Sequence, residues 1–199
     1  MKKTTLLLLL LAFLLFACKS HQKKILIYAN SDIQVDESQK NITVQEGNTQ
    51  VEKELDFSGS DEVTLNITGP QGHYTLVANE DGYWLANLKA DTVLGSMQHI
   101  GTTAQTRITQ EQLKKQLDSL NLLIKGANIS AEAKNYFVPP GKIVKISSNT
   151  NVKIFGPFTS IPHDFDAGSV SEVYKFYNLS EEEKIIRKMT DMGTYKEGN

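Results

Sequence analysis

Four strand-like runs at nearly even spacing, over residues 62–97, constrain this chain more than any other stretch. Val63, Leu65 and Ile67 alternate with polar neighbours, and His73 to Ala78, Tyr83 to Leu88 and Thr92 to Met97 follow. Side chains of a strand point alternately to opposite faces, so such runs ask for a covered face. Between them stand Gly69-Pro70-Gln71-Gly72, Asn79-Glu80-Asp81-Gly82 and Lys89-Ala90-Asp91. Glycine suits the positive φ angles of tight turns and proline presets the preceding corner. Short loops join antiparallel neighbours, so the runs predict a β-meander within a sandwich or half-barrel.

Strand periodicity also precedes this region. Ile25 to Ala29 is a short apolar run, Ile33 with Val35 and Ile42 with Val44 alternate, and Glu46-Gly47-Asn48 reads as a turn. Val51, Lys53, Leu55 and Phe57 share one face, predicted buried, while Gln50, Glu52, Glu54 and Asp56 share a face predicted to lie in water.

Beyond residue 100 the period becomes helical. Thr109-Gln110-Glu111-Gln112 fits a capping box, Leu113, Leu117, Leu120 and Ile124 form a stripe, and Gly126 is a stop. A short helix is expected over 128–135, ending before Pro139-Pro140. Residues 142–147 and 151–155 read as a β-hairpin around Ser148-Asn149-Thr150. Two capping boxes, Ser169-Val170-Ser171-Glu172 and Ser180-Glu181-Glu182-Glu183, predict C-terminal helices lined by Val173, Phe176 and Tyr177 and by Ile185, Ile186 and Met189. The expected fold is α+β: an antiparallel meander or sandwich-like N-terminal part packed by a helix, then a hairpin and C-terminal helices. Residues 25–199 are expected to form one globular domain, with 101–106 the best place for a subdivision.

The amino terminus reads as an address. Lys2 and Lys3 precede an apolar run from Leu6 to Leu15, and Ala17 stands before Cys18, the only cysteine. The run is too short to span a bilayer, which takes about 20 residues, and has the layout of a secretory signal. Leu15-Phe16-Ala17-Cys18 resembles the lipobox of bacterial lipoproteins. The resemblance implies cleavage after residue 17, acyl chains on Cys18, and a tether over 18–24. Several acyl chains bind a membrane firmly where one gives only marginal anchoring. Lys19 in place of aspartate implies the outer membrane of the cell envelope. A tether without an acidic cluster implies the periplasmic leaflet, as against surface export in lipoproteins of Bacteroidota type. Lys19, Lys23 and Lys24 are expected near anionic headgroups.

Composition narrows the functional classes. The 21 Lys and Arg include the two of the signal, so the remainder is more acidic than the −2 of the whole chain, and no basic block suggests nucleic acid as a partner. With Cys18 lipidated, no thiol is left for a disulfide, nucleophile or thiolate metal site. No cofactor is expected beyond that covalent lipid, and none of the common catalytic motifs is present.

Two local candidates for chemistry emerge. The first is the irregular segment 156–168, in which His163, Asp164 and Asp166 offer an imidazole and two carboxylates for a metal or for acid-base work. Against that, Pro157 and Pro162 stiffen such a loop and Phe158 and Phe165 tuck it against the core. The second is aromatic. Tyr83 and Trp84 are neighbours on a strand, so an exposed Trp84 makes a stacking platform for a sugar or peptidoglycan fragment, with Phe158 and Phe165 as further ligand contacts. A core Trp84 instead leaves the Tyr83 hydroxyl in solvent. The expectation is a lipid-anchored, non-enzymatic envelope protein that binds a protein or polysaccharide. The alternatives are a metal-dependent hydrolase built on the 163–166 segment and a purely structural subunit of an envelope assembly.

Overall fold

The computed structural model describes residues 21–59, 61–98, 110–127, 129–130, 132–162, 164–166, 168 and 170–194. Cys18, His163, the signal and the 101–106 boundary lie outside them. The described chain is mostly strand with two helices, an α+β composition.

Eight strands come first: β1 (Gln22–Ala29), β2 (Ile33–Asp36), β3 (Asn41–Val44), β4 (Val51–Ser58), β5 (Val63–Gly69), β6 (Gly72–Ala78), β7 (Gly82–Asn87) and β8 (Val93–Met97). Helix α1 (Gln110–Ile124) follows, then β9 (Asn135–Val138), β10 (Lys142–Ser147), β11 (Val152–Phe155), β12 (Glu172–Asn178) and helix α2 (Leu179–Thr194). They form three four-stranded sheets: a central sheet ordered β10-β7-β1-β4, a first outer sheet β2-β3-β5-β6 and a second outer sheet β11-β12-β8-β9.

The central sheet is covered on both faces, which is why β1 reads as a continuous apolar run instead of alternating. On one face Ile25, Ile27, Trp84, Ala86 and Leu55 pack with Ile42, Val63, Leu65, Ile67 and Leu76 of the first outer sheet. On the other, Leu26, Tyr28, Tyr83, Leu85 and Ile146 pack with Val93, Tyr136, Val138, Tyr174 and Phe176 of the second. The helices lie against the second outer sheet, α1 at β9 and α2 at β12, and touch each other. Leu123 and Ile186 are their buried anchors. At the end of α1, Gly126 has φ +69°, and Gly126 and Ala127 donate backbone bonds to Leu123 and Leu122, the arrangement of a Schellman cap. Among the described residues no helix is long and apolar enough to cross a membrane.

Several expectations are corrected. The runs over 62–97 are strands, but only β5 and β6 are a hairpin; β7 joins the central sheet, parallel to β1, and β8 joins the second outer sheet. No meander forms, because β7 is apolar on both faces and finds cover only between two layers. Strands β10 and β11 are likewise not a hairpin: β10 pairs with β7 and β11 with β12, and Ser148 to Thr150 carry the chain from one sheet to another. The expected helix over 128–135 is replaced by a turn and β9. The first C-terminal helix is instead β12, where Tyr174 and Phe176 enter the core and alternate with Val173 and Lys175. Finally, β1 takes up Gln22, Lys23 and Lys24 from the expected tether. Lys23 is fully buried and pairs with Asp81 at 3.1 Å, and Lys24 pairs with Glu54 at 3.1 Å, so neither has its ammonium held out toward headgroups.

Candidate functional site

Burying an ammonium is costly unless it is paired or hydrogen-bonded, so Lys89 and Lys175, 1% and 8% exposed, mark the unusual part of this molecule. Lys89 lies at the end of the stack reached by the carboxyl ends of β1 and β7, and Lys175 stands in the middle of β12, three residues before Asn178. Lys89 sits in the β7–β8 connection, which the buried Asn87 shapes: its side chain donates to the carbonyls of Asp91 (2.9 Å) and Val138 (2.8 Å) and accepts from the Lys89 amide (3.1 Å). The Lys89 ammonium donates to Asn178 Oδ1 and lies 4.7 Å from the centre of the Phe158 ring. Burial pushes its pKa down, opposed by the negative charges of Asp91, Glu181 and Glu52.

Lys175 is held differently. Its ammonium donates to the carbonyls of Gly156 and Thr159, each at 2.6 Å, and lies 4.8 Å from the Tyr177 ring centre. Burial lowers its pKa too, with Glu52, Glu181 and Glu182 opposing. Glu52 ties the two lysines together, feeling both and accepting from the Phe158 amide at 3.3 Å. The acidic face of β4 is therefore not simply in water: Glu52 is half-buried, and Glu54 accepts from the buried Tyr83 hydroxyl.

Beside Lys89 opens a cavity of about 410 Å³, bordered by Asn30, Gln50, Asp91, Phe158, Ser180 and Glu181 among others. Five separate parts of the chain supply these residues: the end of β1 at Asn30, the approach to β4 at Gln50, the β7–β8 connection, the 156–168 loop and the start of α2. Asp91 accepts from the Ser180 amide (3.3 Å) and hydroxyl (2.8 Å), and so caps α2 from outside the helix. A favourable charge at the helix amino end adds to that bond.

The sequence-nominated residues are dispersed. Asp164 and Asp166 are exposed, and Asp166 accepts from the Gly168 amide at 2.8 Å, a local turn. Among the described residues no group of three or more His, Cys, Asp or Glu is placed to hold a metal ion. Phe165 packs edge-on against Phe155 at 5.1 Å, while Phe158 reaches the cavity. The stacking platform is corrected: Trp84 is 7% exposed in the first core, its indole N–H donating to the Glu80 carbonyl at 3.1 Å. Tyr83 is buried as well, at 3%, because the sheet beneath it has no solvent face. Sequence reasoning missed Lys89, Asn178 and Lys175. They are far apart along the chain, and a lysine in a turn carries no mark of burial.

The chain matches no protein-family model, and no curated protein or solved structure is similar to it.

Proposed function

We propose that this is a lipid-anchored, non-enzymatic protein of the cell envelope, and that the cavity beside Lys89 holds part of an envelope polysaccharide. The observation that carries the reading is the cavity's lining. Asn30, Gln50, Asn178 and Ser180 supply amide and hydroxyl groups, Phe158 supplies an apolar wall, and Glu181 supplies an acceptor at the rim. Convergent neutral donors and acceptors with an aromatic side suit a polyhydroxylated ligand. The Ser180 hydroxyl donates to Asp91, the residue that caps α2, so that hydroxyl is held in place as part of the cavity wall.

The position of the cavity agrees with anchoring. Asn30 follows β1 and His21 precedes it, so the cavity lies at the opposite end of a strand about 26 Å long from the point where the chain comes in from Cys18. A ligand then reaches the site without first meeting the bilayer. The membrane partner is reached through acylated Cys18, with the outer membrane's periplasmic leaflet as the proposed location.

The test is calorimetric titration of the full chain in detergent micelles with short oligosaccharides, repeated with Asn30→Ala and Phe158→Ala. Binding by the unaltered protein, weakened about tenfold or more in each variant, corresponds to losing roughly 1.4 kcal/mol per contact. Binding that neither variant alters would place the ligand elsewhere. Labelling with radioactive palmitate, lost in Cys18→Ser, tests the anchor separately.

A further inference from the structure

Lys89, which borders this cavity, is a buried lysine. Among the described residues no carboxylate lies within ion-pair distance of Lys89. An ammonium carries three N–H donors; one goes to Asn178 Oδ1 and the ring of Phe158 covers a second direction. Three carboxylates are near enough to be felt, yet each is occupied or remote. Asp91 is turned to the start of α2, Glu52 accepts from the Phe158 amide, and Glu181 is exposed at the rim. Lys175 shows the contrast, since two carbonyls hold its ammonium and no cavity is needed to explain it.

We propose that the cavity takes an acidic sugar residue, whose carboxylate pairs with Lys89 while its hydroxyl groups meet Asn30, Gln50 and Glu181. This rests on the polysaccharide reading above and names the class of sugar. A singly charged carboxylate needs only one N–H of the ammonium. A phosphate dianion would need more donors and would be repelled more strongly by Asp91 and Glu181. A charge-assisted bond formed away from water is stronger than one between neutral groups. Lys89 is thus the residue that separates acidic from neutral sugars.

The experiment uses the full chain in detergent micelles and three probes: digalacturonic acid, its dimethyl ester, and N-acetylglycylglycine with a free carboxylate. The diacid is expected to bind at least about tenfold more tightly than the ester, and Lys89→Met is expected to erase that difference. Because Lys89→Met alters a buried position, the unaltered protein labelled with 13C at lysine Cε supplies a second readout. The diacid should move the Lys89 resonance and shift its titration to higher pH. Equal binding of diacid and ester, or a Lys89 signal that ignores the diacid, overturns the acidic-sugar inference and leaves the polysaccharide reading standing. Binding of the peptide alone, or of no probe, overturns both.

Discussion

At Gly95 a single missing carbon decides how two strands meet. A Cβ built there would overlap the ring of Phe176, which is fully buried and lies opposite it in the β8–β12 register. Gly95→Ala should therefore destabilise by about 1–3 kcal/mol, the usual cost of overpacking, read as a fall in denaturation midpoint at unchanged slope. An unchanged midpoint would mean that the ring has room to move. Tyr28 makes the opposite case. Its ring is buried against Phe176 at 6.2 Å between centres, but its hydroxyl has no hydrogen-bond partner among the described residues. Removing an unsatisfied buried hydroxyl relieves a desolvation penalty, so Tyr28→Phe should be neutral or stabilising by up to about 1 kcal/mol in urea denaturation. A loss above that range would show the hydroxyl to be engaged. Neither environment is legible in the sequence, because Phe176 lies far along the chain from both.

At the scale of elements, two capping-box patterns predict a pair of C-terminal helices, and only the second, α2, forms. Ser180-Glu181-Glu182-Glu183 opens α2 as its pattern predicts, although the helix starts at Leu179 and its cap is Asp91 from another segment. Asp91→Ala should cost about 1 kcal/mol, measured by urea denaturation, with the usual range for a lost cap being roughly 0.5–2 kcal/mol. The matching pattern at Ser169–Glu172 misled because Val173 to Tyr177 suits both periods, and burial between sheet and helix selects the strand. Two glutamates at these elements have opposite pH behaviour. Burial pushes the Glu172 carboxyl up, but hydrogen bonds from Lys134 (2.5 Å), Tyr174 (2.7 Å) and Ser147 outweigh it and hold the pKa below the usual 4.5. Its contribution to stability is thus present above the unfolded value and lost as pH falls through the lower folded value. Glu182 is raised, by burial first and Glu181 second against Lys175, so its charged form is disfavoured in the fold. Stability therefore rises as pH falls through its folded pKa toward the unfolded one. Glu172→Gln should lower the neutral-pH midpoint and weaken the acid loss, whereas Glu182→Gln should raise the neutral-pH midpoint. Guanidinium midpoints at several pH values separate the two, and parallel shifts in the same direction would contradict this assignment.

For the whole molecule, most strands were legible from their periodicity but their sheet membership was not. Turn chemistry is local, and it correctly placed Gly69 to Gly72 between β5 and β6. Which sheet a strand joins depends on how many of its faces need cover, and β1 and β7 need both. The candidate site was less legible still, since Lys89, Asn178 and Phe158 are brought together only when the sheets stack. The stacking has a thermodynamic consequence. Trp84 reports the first core, Tyr136 and Tyr174 report the second, and β1 and β7 contribute side chains to both. Neither core can dissolve without exposing one face of the strands that complete the other, so the two should be lost in one cooperative step. Trp84 emission should start blue-shifted and poorly quenched, and its loss on guanidinium titration should coincide with loss of the near-ultraviolet tyrosine dichroism. Far-ultraviolet strand signal should follow the same curve. If Trp84 is released at lower denaturant than the tyrosines, the first outer sheet comes away as a separate unit, and the shared central sheet does not couple the cores.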